Sequence, residues 1–240
     1  MIDQVFEAGF QVLQEIRDTQ KENLDAAAKM IADCFINGHT FFVTGSGHSH
    51  TVAEEFYARA GGLAFVKPIL TSELTLVEHA TKSTYLERLP GYAEILTEIY
   101  HVSPEDVVLV ASNSGRNAYP IEMAMDSKKR GAKVIAITNC KHSRATTSRH
   151  PSGKHLMDLA DIVIDNCGVP GDCILQIKDL DTALCPTSSM ANAFIVQAIS
   201  VQCARYIQDA GLIPPVFVSS NSQSDTGRND EYFKKYTRQY

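Results

Sequence analysis

Five short apolar runs, separated by polar turns and helix-like stretches, recur between residues 40 and 166 and constrain the topology open to this 240-residue chain. "TFFVTG" (40–45), "LAFVKPIL" (63–70), "DVVLVASNSG" (106–115), "KVIAITN" (133–139) and the end of "DLADIVIDN" (158–166) read as strands. Segments 48–60, 90–101 and 117–130 carry helical periodicity between them. Regular β/α alternation of this kind predicts a parallel sheet with helices on both faces, a three-layer α/β sandwich with a flavodoxin-like order.

Flanking segments complete the outline. Apolar residues from Ile2 to Phe35 fall at helical spacing, with a gap between Ile16 and Leu24 that marks a bend, and Gly38 supplies a stop. "CILQIKDLD" within 168–186 reads as a strand or an extended loop. A long apolar helix over Ser188 to Asp209 ends at Gly211, and the remainder is turn-rich, then weakly helical. The whole is a single domain (1–240), with a helical dimerisation segment (1–37), an α/β core (39–211) and a tail (212–240). Both long helices carry more apolar surface than one sheet face can cover, so a homodimer or a dimer of dimers is expected.

Composition narrows the function classes. With 44% hydrophobic and 21% charged residues the chain can bury a substantial core. A formal net charge of −6 opposes a nucleic-acid surface, which needs clustered Lys and Arg. No apolar run reaches the roughly 20 residues that span a bilayer, and the first residues lack the layout of a signal peptide, so no membrane contact and a cytoplasmic location are expected. The six cysteines include no C-x-x-C pair and read as reduced thiols.

In an open parallel sheet, ligands bind beyond the carboxyl ends of the strands. Two such ends here are chemically alike: Thr44-Gly45-Ser46-Gly47-His48-Ser49 and Ala111-Ser112-Asn113-Ser114-Gly115-Arg116-Asn117. Each combines small residues that let backbone amides approach an anion, hydroxyls that donate to phosphate oxygens, and a following helix N-terminus. Taken singly, each is also an ordinary capped turn. As a pair they read as a phosphate clamp. A G-x-x-x-x-G-K-[ST] loop is absent, and a dinucleotide fingerprint would need glycine at His50 and an acid where Lys67 and Pro68 stand, so neither nucleotide nor cofactor is expected. His48 and His50, two residues apart, lack a further ligand at zinc-like spacing, so no metal is expected either. His48 instead borders the phosphate or the substrate.

"GSGHS" followed by "SNSGRN" resembles the paired phosphate loops of the sugar isomerase (SIS) domain family. "PTSSMANAFIVQAIS" (186–200) is similar to the P-T-S-S-opened helix of its arabinose-5-phosphate type. The resemblance spans about residues 45–200 and points toward bacterial SIS proteins of the phosphoheptose isomerase kind. It implies that Ser46, Gly47, His48 and Ser49 form one side of a sugar-phosphate site, and Ser112, Ser114 and Asn117 the other, with the Asn113 and Gly115 amides assisting. Thr187, Ser188 and Ser189 would line the same pocket. Asn117 replaces the family's usual threonine and still offers a donor through its NH₂ group.

Aldose–ketose isomerisation moves a proton between neighbouring carbons, so it needs a base and an acid near the open-chain carbonyl. Glu54 and Glu55 are similar in place to a catalytic glutamate of phosphoheptose isomerases; adjacent helix residues point about 100° apart, so at most one faces the pocket, Glu55 being preferred, and the pair equally reads as a solvated helix face. Glu73 takes the place of a functional histidine of arabinose-phosphate isomerases, and Glu78 and His79 follow it. "SELTLVEHA" equally reads as a plain amphipathic helix capped by Ser72. The basic segment 141–155 reads as a solvated loop, or as a substrate lid or partner-subunit contact. The resemblance implies an isomerase acting on a sugar phosphate, with sites shared between subunits. The alternatives are a phosphosugar lyase or etherase, and a non-catalytic phosphosugar-binding module.

Overall fold

Side-chain alternation on the central strands divides the core into two. On β1 (Phe41–Gly45), Phe41 and Val43 enter one apolar cluster and Phe42 the other. On β3 (Val107–Ala111), Val107, Leu109 and Ala111 oppose Val108 and Val110; on β4 (Lys133–Thr138), Ile135 and Ile137 oppose Val134 and Ala136. A period of two with both faces covered explains why these strands read as unbroken apolar runs.

The computed structural model describes residues 1–221 and 227–236. With β2 (Val66–Ile69) and β5 (Ile162–Asp165), the strands form a five-stranded parallel sheet in the order β2-β1-β3-β4-β5. The first cluster lies under α1 (Ile2–Thr19), α2 (Lys21–Ile36), α3 (Thr51–Phe56) and α8 (Ser188–Asp209). The second lies under α5 (Tyr92–Ile99) and α6 (Ala118–Lys129). The remaining elements are α4 (Lys82–Leu86), α7 (Cys140–Arg144), the antiparallel hairpin of β6 (Cys173–Leu175) and β7 (Leu184–Pro186), and α9 (Arg228–Tyr236), which follows α8.

Register fixes where a ligand can sit. Gly45 pairs with Ala111, so the carboxyl ends of β1 and β3 are level. From β1 the sheet grows one way to β2 and the other way to β3, which makes this pair of ends the topological switch point.

The bend expected between Ile16 and Leu24 falls at Gln20, where α1 ends and α2 begins. Other local expectations are corrected. The stretch expected as one helix over 48–60 is a 3₁₀ turn (Gly47–His50) followed by the six residues of α3. It stops early because residues 61–64 are drawn onto the tail: Gly61 and Ala64 donate to the Phe217 and Pro215 carbonyls, and Phe217 donates to Gly62. For the same reason β2 begins at Val66 rather than Leu63. The amphipathic helix allowed for "SELTLVEHA" is absent; after a 3₁₀ turn (Ser72–Leu74) the buried Thr75 returns its hydroxyl to the Ser72 carbonyl at 2.9 Å. Such a side-chain bond competes with helix propagation. The tail expectation for 212–240 falls partly outside the described residues; α9 is its helical part.

Candidate functional site

Two loops of different length meet at the switch point. In the first, the Ser49 amide donates to the Ser46 carbonyl at 3.1 Å, and Gly47 has φ of +57°. Close approach explains Gly45: a Cβ there would lie 2.4 Å from the Ser49 carbonyl oxygen and 3.1 Å from that of Ala111. In the second, Gly115 has φ of +58°, and its amide donates to Ser112 Oγ at 3.2 Å. Both glycines adopt the left-handed region that side chains resist.

Hydrogen bonding sorts the expected phosphate ligands into engaged and free. Ser112 Oγ accepts from the Gly115 amide, which engages that amide and leaves the Ser112 hydroxyl proton to donate. Asn113 is held on three sides: its carbonyl accepts from the Asn139 amide at 3.0 Å and Thr138 Oγ1 at 3.2 Å, and its Oδ1 accepts from Asn166 at 3.0 Å. Asn166 also donates to Asn192 Oδ1 at 3.2 Å, which ties the second loop to α8. Among the described residues, the Ser49 and Ser114 hydroxyls and the Ser114 amide have no partner within the chain. His48 is exposed beside them, while His50 turns back on its own loop toward the Gly47 carbonyl and lies 3.2 Å from Glu54.

A carboxylate that the sequence reading passed over joins the loops. Glu87, just after α4, accepts from Ser46 Oγ at 2.7 Å on one oxygen and from Asn117 Nδ2 at 2.8 Å on the other. Its backbone carbonyl accepts from the Tyr119 amide at 2.9 Å. Burial pushes its pKa above the ordinary glutamate value; the Ser46 hydrogen bond and the charges of Arg88 and Arg149 pull it partly back. Beneath it, fully buried Tyr119 shares a 2.5 Å hydrogen bond with Thr44, which anchors the end of β1 to the start of α6. Nothing in the local pattern around "YLERLPGY" separates Glu87 from a surface glutamate.

The other expected acid–base residues are dispersed. Glu55 faces α8, where it pairs with Arg59 and accepts from Gln197, and with Thr51, Ser189 and Asn192 it lines a cleft of about 210 Å³. Neighbouring Glu54 points to solvent. Glu73 is half-buried in the 3₁₀ turn, Glu78 pairs with Lys82, and exposed His79 accepts from Thr81. None of these last three contacts the paired loops in this chain.

The third motif is occupied by a side chain of its own. Asp172 accepts from the Ser188 amide at 2.9 Å, Ser188 Oγ at 2.6 Å, the Thr187 amide at 3.1 Å and Thr187 Oγ1 at 3.3 Å. It fastens the N-terminus of α8, a favourable place for a carboxylate. Ser189 stays exposed at the cleft.

Segment 141–155 packs over the second loop rather than standing free. The Arg149 amide donates to the Arg116 carbonyl at 2.8 Å, Arg149 Nη1 donates to Asn117 Oδ1 at 3.0 Å, and the Leu156 amide donates to Gly115 at 2.8 Å. The cysteines are all unpaired, and burial pushes the thiols of Cys34, Cys140 and Cys203 up to about 12, far from the range of a reactive thiolate.

Topology defines a doubly wound α/β protein with two small-residue loops side by side at the switch point between β1 and β3. The chain belongs to the SIS domain family, whose model matches residues 5–139. A UPF0309 protein of Halalkalibacterium halodurans is 44% identical over 227 residues, covering 95% of this chain and 94% of that protein. A second, of Thermoanaerobacter pseudethanolicus, is 42% identical over 241 residues, covering 99% and 96%. Among solved structures, a phosphoheptose isomerase from Neisseria gonorrhoeae superposes with a TM-score of 0.56 at 19% identity, over 86% of this chain and 97% of that one. One from Francisella tularensis gives 0.53 at 20% identity, over 85% and 96%. At such identities the likeness establishes the fold. Among the described residues, no helix is long and apolar enough to cross a membrane.

Proposed function

We propose that this protein binds a sugar phosphate between residues 46–51 and 112–117 and interconverts its aldose and ketose forms by proton transfer. The observation that carries the reading is the meeting of two serine- and glycine-rich loops at the switch point, with free Ser49 and Ser114 hydroxyls and a half-buried carboxylate, Glu87, held between them. The serines and the Ser114 amide take the phosphate. Glu87 removes the proton from C2 of the open-chain aldose while O1 takes up a proton, giving the enediol; loss of the O2 proton and return of the Glu87 proton to C1 then complete the ketose. A raised pKa suits a carboxylate to both halves of that exchange. Glu55, in the cleft beside α8, is the second acid–base group, and Glu73 and His79 serve a site completed by another subunit.

A homodimer is part of the proposal. Ile2, Val5, Phe6 and Phe10 of α1 and Phe194 and Val201 of α8 are exposed in the single chain, and apolar faces of this kind favour burial against a second copy. Light scattering behind size exclusion should give twice the chain mass at micromolar concentration; a monomer would refute it.

Proton NMR in D₂O with hexose, amino-sugar, pentose and heptose phosphates tests the reaction. Deuterium entering at C2 with appearance of the partner sugar is the expected result, absent in Glu87→Gln. Release of a substituent would make the protein a lyase, and binding without exchange would make it a binding module.

A further inference from the structure

Arg88 and Arg149 lie near Glu87, and Arg116 lies beside Arg149. Arg88 follows Glu87 directly, Arg116 lies in the second loop, and Arg149 comes from the segment packed on that loop. Two bonds fix their proximity: the Arg149 amide to the Arg116 carbonyl at 2.8 Å, and the Arg149 guanidinium to Asn117, whose amide holds Glu87. Among the described residues, none of the three lies within 4.0 Å of a carboxylate oxygen. Glu122, the next acid in this region, is taken by the Gly91 amide at 2.7 Å and His150 at 3.5 Å. Although Arg149 is exposed, partial desolvation and the charges of Arg116 and Arg88 lower its pKa, with Glu87 opposing them. Most telling, Arg116 Nε is buried and has no hydrogen-bond partner.

A guanidinium stays protonated and presents a planar fork of donors suited to phosphate or carboxylate. A buried donor without an acceptor is costly to keep unless a ligand satisfies it. The Ser49 and Ser114 groups already suffice for one phosphate, and Glu87 balances only one of three positive charges. We propose that Arg88, Arg116 and Arg149 form a second oxyanion subsite beside the phosphate loops, and that the natural ligand is a sugar phosphate bearing another acidic group, a carboxylate or a second phosphoryl. This inference rests on the phosphosugar reading and names its substrate class.

The test is titration calorimetry of the full chain, at fixed ionic strength, with glucose 6-phosphate, glucose 1,6-bisphosphate and 6-phosphogluconate. One or both doubly acidic sugars should bind at least about tenfold more tightly than the monophosphate, the worth of one or two charge-assisted hydrogen bonds. Bisphosphate preference would identify a phosphoryl group, and phosphogluconate preference a carboxylate. Arg116→Gln and Arg88→Gln should collapse that ratio toward one. Arg205→Gln, which removes an exposed charge on α8 paired with Asp209, should leave it intact. Equal affinity for all three sugars overturns the subsite while sparing the phosphosugar reading. So does an equal loss for all three in the Arg116 and Arg88 variants, since the arginines would then serve the single phosphate. Binding of none overturns both.

Discussion

Replacing Glu87 separates what its carboxylate does as an acceptor from what it does as a charge. In Glu87→Ala, Ser46 and Asn117, only 7% and 5% exposed, lose the oxygens that now lie 2.7 and 2.8 Å from their donors. At about 1–3 kcal/mol for each buried donor left without an acceptor, the loss is about 2–6 kcal/mol, drawn toward the lower half because Glu87 itself is half-buried and water can follow. Glu87→Gln keeps both contacts, since Oε1 accepts from Asn117 and the amide donates to Ser46 Oγ, so its cost is smaller. What it removes is the titration. Burial raises the native Glu87 pKa above the ordinary 4.5, the folded protein therefore holds that proton more tightly than the unfolded chain, and wild-type stability falls as pH rises from the ordinary value through the native one. Glutamine does not titrate. Urea unfolding followed by circular dichroism across a pH series should show the stability of Glu87→Gln relative to wild type growing within that window and flat on either side. A flat or falling difference there would refute the burial argument. An alanine variant as stable as wild type would refute the claim that the carboxylate joins the loops.

Three further outcomes follow from the site's geometry. Gly45→Ala places a Cβ 2.4 Å from the Ser49 carbonyl oxygen and 2.6 Å from its carbon, so the first loop must shift; the melting curve should report a loss of about 1–3 kcal/mol, and sugar-phosphate affinity should fall with it. Ser49→Ala and Ser114→Ala should each weaken sugar-phosphate binding about tenfold or more, the worth of a hydrogen bond to a charged group, while leaving urea midpoints unchanged; affinity untouched in both would sink the phosphate clamp. Asp172→Ala releases the Thr187 and Ser188 donors at the start of α8 and should cost about 1–2 kcal/mol, as loss of a helix cap does; an unchanged urea midpoint would show that α8 needs no such fastening.

Much of this molecule is legible in the chain because local chemistry dictates it. Strands buried on two faces need apolar residues at every position, so 41–45, 107–111 and 133–138 declare themselves. The turns that follow β1 and β3 need small residues and positive φ at Gly47 and Gly115, so both loops are visible too. The long helix of Ser188–Asp209 shows its apolar periodicity from end to end. Where long-range contacts compete with propensity, the signal fails. Helix α3 is cut short by the Pro215–Phe217 segment of the tail, far along the chain, and 72–80 gives up its helix to a buried threonine.

The site divides along the same line. Sequence alone determined a parallel α/β sheet, its two phosphate-type loops and their place at strand ends, since each follows from residues near one another in the chain. Only the tertiary structure decided which donors remain free, that Asp172 takes the Thr187 and Ser188 groups, and that Glu87 bridges Ser46 and Asn117. Glu87 lies 41 residues from Ser46 and 30 from Asn117, and no local pattern encodes a carboxylate whose environment exists only after the sheet has brought those loops level.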